Sequence, residues 1–197
     1  MNFYKNNYIY VIMKTNPVLE NILTRTSVRQ YTSEPLTEAE IETLLKAGMA
    51  APSGRNIQPW SFIVVTDAPT RASLVTKGVN KMYAEAPCLI VICGETTTTL
   101  KPHDAPADAP EEERPNPNWS IDCSAATENI LLAAHSLGLG AVWTACWPYE
   151  DRYLPVKQLL GNPEDNMPLA IVPVGHPAES PAPKDKWRPD HIHRGRW

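Results

Sequence analysis

Arg25-Thr-Ser-Val-Arg29 sets two guanidinium groups around the hydroxyls of Thr26 and Ser27. That set suits a bound phosphate, because the planar guanidinium fork grips phosphate oxygens through charge-assisted bonds about twice as strong as neutral ones. Taken singly, Arg29 reads as a surface ion-pair partner and Ser27 as a helix cap. Farther on, Pro52-Ser-Gly-Arg-Asn-Ile-Gln58 leads into Pro59 and Trp60. This is a stiff turn whose Ser53 hydroxyl and Asn56 and Gln58 amides can read the edge of a flat heterocycle. A third cationic set, Pro183-Lys-Asp-Lys-Trp-Arg188, alternates Lys184 and Lys186, so an extended chain points both to one side.

The rest of the composition limits what these residues can serve. At 197 residues the chain suffices for one domain with a real core. Its 43% hydrophobic and 20% charged residues are those of a soluble globular protein. A net charge of −4 and a pI near 5.7 argue against a nucleic-acid partner, which needs a basic stripe. Basic residues nevertheless gather around 25–29 and 184–196, leaving room for one local anion site. No apolar run reaches the length of a membrane span, so no membrane partner is expected. Cys88, Cys93, Cys123 and Cys146 form no CxxC or disulfide-like framework. They read as small core residues in a reducing, cytoplasmic setting. His191 and His193 have no third ligand at metal spacing, so no metal site is expected. Walker A, GxGxxG, HExxH and GxSxG patterns are all missing. The N-terminus shows no small-residue cleavage site. Met13 is a candidate start, which makes residues 1–14 a tail and 15–197 a single domain.

Several elements must position these groups. Asn16 before Pro17 predicts a helix entry, with Val18, Leu19, Ile22 and Leu23 along one side. Thr37-Glu-Ala-Glu40 is a capping box, continued by Ile41, Leu44, Leu45 and Met49 to a stop at Ala51-Pro52. The 52–58 turn thus joins a helix to a strand at 60–66, with Trp60 a core residue. Beyond it the pattern predicts a helix after Pro69, a buried strand at 88–93, and a long central helix over 119–137, stopped by Gly138 and Gly140. A strand at 141–147, a helix ending near Gly161 and a strand at 168–175 complete it. His135 reads as a local packing or capping residue. Helices and strands mix without a regular βαβ repeat, the mark of an α+β domain with helices over one sheet. Residues 96–118 read as an irregular loop, either a solvated connection or a lid over the substrate. If the acidic stretch 104–113 closes over the site, it disfavours anionic substrates.

The four stretches at 25–31, 51–60, 133–144 and 183–188 match, in type and order, motifs of the nitroreductase family of FMN-dependent oxidoreductases. The chain resembles that family from Pro17 to Trp197. The resemblance implies a nitroreductase-like α+β fold, with a central, mostly antiparallel sheet flanked by helices. It further implies an interlocked homodimer with exchanged C-terminal segments and a site at each interface. Carried over residue by residue, Arg25, Thr26, Ser27 and Arg29 hold the FMN phosphate and ribityl chain. Pro52, Ser53, Asn56 and Gln58 reach the flavin from the other subunit. Val142, Trp143 and Thr144 supply backbone contacts along the isoalloxazine ring, and Lys184 or Lys186 closes the phosphate site. Gly54 stands where many relatives have alanine, and relatives often have arginine at one of the two lysine positions. The implied activity is ping-pong reduction by NADPH or NADH of a small electron-poor acceptor such as a nitroaromatic, quinone or enone. No side chain is assigned a catalytic role, since the cofactor carries the hard chemistry. The alternatives are a flavin-binding carrier or redox sensor without turnover, a dehalogenating or flavin-cleaving relative, or a fold that has lost its cofactor.

Overall fold

The structure, a computed structural model, describes residues 16–75, 80–101 and 106–197. The N-terminal tail expected at 1–14 lies outside the described residues. The core is built on a sheet of order β1 (Trp60–Val65), β2 (Cys88–Glu95), β7 (Asn166–Gly175) and β5 (Gly140–Ala141), with β6 (Thr144–Ala145) also on β7. Each of its pairings is antiparallel, as the resemblance implied. The apolar run of β2 is continuous because both of its faces are covered. Cys88, Ile90 and Ile92 face one hydrophobic cluster, while Leu89, Val91 and Cys93 face a second.

The first cluster packs against α2 (Glu38–Met49) and α5 (Trp119–Ser136), which supply Ile41, Leu44, Trp119, Cys123, Ile130, Leu131 and Ala134. Trp60 packs partly buried against it, the core role expected. The second cluster is closed by Leu74 just past α3 (Ala68–Ser73), Tyr83 of α4 (Met82–Glu85) and Val156 of α6 (Glu150–Leu160). At the start of α2, Thr37 accepts from the Glu40 N–H while Glu40 accepts from the Thr37 N–H, so both halves of the capping box are made. The helix α5 ends as the glycines demanded. Gly138 turns left-handed at φ 76°, letting Leu139 N–H reach Ala134 O at 2.8 Å and Gly138 N–H reach His135 O at 3.0 Å. All four cysteines are buried free thiols, and burial pushes Cys93 up to about 11 and Cys88, Cys123 and Cys146 to about 12.

Two expectations are corrected. The strand expected at 141–147 is interrupted into β5 and β6, although both pieces keep one register on β7 (Ala141 opposite Val174, Thr144 opposite Ile171). The break falls opposite Pro173. Val142 N–H donates to Pro173 O, but proline has no N–H to return. The stretch 96–118 is not irregular throughout: β3 (Thr97–Leu100) and β4 (Glu112–Pro115) pair as an antiparallel hairpin. The β-branched threonines supply its strand preference.

Candidate functional site

The segment after α1 (Pro17–Thr24) runs beside the sheet edge and is tied to it through its backbone. Val28 N–H donates to Ala141 O at 3.1 Å, Thr32 N–H to His176 O at 2.9 Å, and Ala178 N–H to Gln30 O at 2.9 Å. Tyr31 adds its hydroxyl, donating to Val28 O at 2.7 Å. A Cβ on Gly140 would sit 2.5 Å from Val28 Cγ1, so only glycine lets the segment approach β5 this closely. The first and third sequence motifs are thereby brought together. Arg25 is nearly buried, its side chain 16% exposed, and its Nε lies 3.7 Å from Glu128 Oε1 on α5. Thr26 and Ser27 are partly buried, and their hydroxyls form no hydrogen bond among the described residues. Arg29 is exposed, and its backbone N–H donates to Glu179 Oε1 at 2.6 Å, with Gln30 N–H at 3.2 Å from the same oxygen. Beside them His135 Nε2 bonds the Thr24 hydroxyl at 2.9 Å, a contact between α5 and α1 rather than the local packing or capping expected. Partial burial, then the Arg25 charge, lowers its pKa.

The second motif is a strained turn. Arg55, Asn56 and Gln58 have φ of 53°, 57° and 54°, left-handed values rare outside glycine. Such strain clusters where function needs a fixed backbone. Ser53 Oγ closes the turn by accepting Gln58 N–H at 3.0 Å, and both Asp122 carboxylate oxygens lie 3.2 Å from Gly54 N. Pro52, Asn56 and Gln58 are exposed. The turn is therefore seated at the first turn of α5, while Arg25 meets α5 at Glu128. The anchors are six positions apart, about 9 Å along the helix.

Of the remaining site residues, Val142 is buried, and Trp143 packs partly buried on the α5 cluster. The Thr144 hydroxyl is committed, donating to Ile171 O and pairing with Tyr83 Oη, each at 2.5 Å. Lys184 and Lys186 are exposed on the tail beyond Pro177 and form no ion pair with the acidic groups of the described residues. Two positioning residues escaped the sequence reading. Asp122 looked like an ordinary acidic residue in a helix first turn, and Glu179 like one more charge in a proline-rich tail. Each acts on backbone N–H groups far away in sequence, a relation no local pattern encodes.

The model describing the nitroreductase family matches residues 22–77 and 69–176 of this chain. The chain belongs to the nitroreductase family. A Methanothermobacter thermautotrophicus protein provisionally named an NADH dehydrogenase/NAD(P)H nitroreductase is 39% identical over 181 residues, covering 91% of this chain and 87% of the relative. A Bacteroides thetaiotaomicron structure under the same provisional name has a TM-score of 0.81 at 39% identity, covering 92% of this nitroreductase-family chain and 99% of its own. The NADPH:FMN oxidoreductase of Vibrio harveyi, solved with NAD+, has a TM-score of 0.75 at 27% identity, covering 92% and 78%. No helix of the described residues is long and apolar enough to cross a membrane.

Proposed function

We propose that this chain is an FMN-dependent oxidoreductase that takes electrons from NADPH or NADH. It passes them by a ping-pong route to small electron-poor acceptors, nitroaromatics and quinones among them. The observation that carries the reading is the segment 25–32, fixed by backbone bonds along β5 with Arg25 partly buried beside two hydroxyls that form no hydrogen bond among the described residues. This donor set fits a phosphate monoester: a guanidinium fork, hydroxyl donors, and a glycine at 140 that admits close backbone approach. Arg25, Thr26, Ser27 and Arg29 would hold the phosphate and ribityl end, with Lys184 or Lys186 adding the third positive charge. FMN, when bound, supplies the hydride and electron transfer. The chain orients it, and Asn56 and Gln58 donate to the ring edge from a turn that strain and the Asp122 contact hold in one shape.

The site is assembled by two copies of the chain. The family resemblance puts the turn in the partner's site, so the two motifs that meet α5 at Asp122 and Glu128 would serve different flavins. The helix α1 supports this arrangement, because it is amphipathic the wrong way round for a monomer. Asn21 faces inward, its amide donating to Leu132 O at 3.0 Å, while Val18, Leu19, Ile22 and Leu23 are 65%, 37%, 48% and 51% exposed. A contiguous apolar face of this kind marks an interface, and a second copy is the occupant the incomplete site calls for. The free buried thiols fit a cytoplasmic setting.

The visible spectrum of the purified protein, before and after anaerobic NADPH or NADH, tests the reading. A yellow protein that bleaches and regains colour on adding a nitroaromatic or quinone is expected. A colourless protein that FMN cannot reconstitute would overturn it.

A further inference from the structure

A groove of about 350 Å³ lies between the Gly54–Ile57 turn and the β3–β4 hairpin, and none of the residues assigned to the cofactor lines it. Two arginines do: Arg55 from the strained turn and Arg114 from β4. Among the described residues the guanidinium of Arg55 makes two long contacts, Nη1 and Nη2 each 3.4 Å from Lys101 O. Nε of Arg114 is buried without a partner among the described residues, and Nη2 lies 3.6 Å from the exposed Glu112 carboxylate. The Nε is closed off from the groove, whereas the side chain as a whole is 34% exposed, so the outer edge of the guanidinium is what a ligand anion could meet. Apolar wall comes from Ile57, Leu100 and Pro115, and Thr98, Asn116 and Asn118 add neutral polar groups. A slot with apolar walls and two cationic groups is the complement of an aromatic carboxylate.

We propose that this groove is an acceptor subsite selecting aromatic carboxylates, with Arg55 and Arg114 as its specificity residues. The proposal rests on the oxidoreductase reading, because the groove adjoins the turn that carries Asn56 and Gln58. It reverses the expectation drawn from the acidic stretch 104–113. Glu112, the carboxylate of that stretch paired with Arg114 among the described residues, is exposed and can be displaced by a ligand. The size of the groove suits a single ring rather than a dinucleotide.

The test is calorimetric titration of benzoate and of neutral benzamide into the full-chain protein, beside turnover of 4-nitrobenzoate and 4-nitrobenzamide. Benzoate is expected to bind about tenfold more tightly than benzamide, the scale of one charge-assisted bond. Arg55→Gln and Arg114→Gln each remove most of that preference and leave flavin absorbance and 4-nitrobenzamide turnover unchanged. Arg55 is exposed, so its variant keeps the test decisive if Arg114→Gln fails to fold. Equal binding of the two probes, or a preference that survives in Arg55→Gln, overturns the subsite. A variant effect confined to NADPH relative to NADH assigns the arginines to the donor and overturns the acceptor proposal as well. Benzoate is not reducible, so its binding is read without turnover, and loss of the preference in Arg55→Gln assigns that binding to the groove, while missing flavin absorbance counts against the oxidoreductase reading.

Discussion

The two anchor points on α5 are built by opposite means. Near Glu128, the 25–32 segment is woven into the sheet edge by its backbone, with Val28, Tyr31 and Thr32 each bonded to a distant strand or tail residue. Near Asp122, the 53–58 turn stands out from the body, held by one hydroxyl and one carboxylate and paying strain at three residues. One end is therefore complete in a single chain, and the other presents its polar side chains outward. On the proposed reading the woven end would hold the phosphate and the outward edge would serve a second chain, for which α1 offers an apolar face.

That contrast can be broken most severely at Gly140. Gly140→Val drives a side chain into Val28, so melting should show a loss of roughly 3 kcal/mol or more, the upper range for overpacking. An unchanged melting temperature would falsify the close-approach account. Next, Arg25→Ala removes a nearly buried guanidinium. The protein should stay folded but hold FMN about thirtyfold more weakly, the equivalent of ~2 kcal/mol; full flavin retention after dialysis would rule out the phosphate assignment. At the other end, Asp122→Ala leaves the Gly54 N–H without its acceptor, at a cost of ~1.5 kcal/mol. Hydrogen exchange should rise across 53–58 and not across 25–32; equal changes in both would erase the distinction between the two ends.

The smallest effect concerns pH. His135 has its pKa lowered in the fold by burial and then by Arg25, so the unfolded chain takes up the proton first. The contribution of neutral His135 is present above its ordinary value of 6.5 and is lost as pH falls through it. Thermal melts between pH 7.5 and 5.5 should therefore fall slightly less in His135→Gln than in the parent; identical slopes would remove His135 from the pH response.

How far the sequence reached depended on the range of the interactions. The capping box of α2 and the glycine stop of α5 were legible because every group involved lies within a few residues. The strand β2 was legible through its unbroken apolar run. The hairpin was not: Thr97–Leu100 has strand preference, but its partner Glu112–Pro115 has almost none, and only their pairing makes both strands. The split between β5 and β6 depends on Pro173, which local reading of 141–147 could not include. At the site, residue types pointed to phosphate and to a flat ring, whereas the separation of the two motifs along α5 and the roles of Asp122 and Glu179 emerge only from the folded chain.

The four buried thiols bear on what this protein can survive. If the acceptors are those proposed, quinone substrates and partly reduced nitroaromatics are electrophiles, and these, like peroxide formed by reduced flavin in air, attack thiolates far faster than protonated thiols. With each sulfur enclosed in the core and its pKa raised to about 11 or 12, almost no thiolate exists at neutral pH. A protein exposed to such electrophiles is thereby protected from thiol arylation for as long as it stays folded.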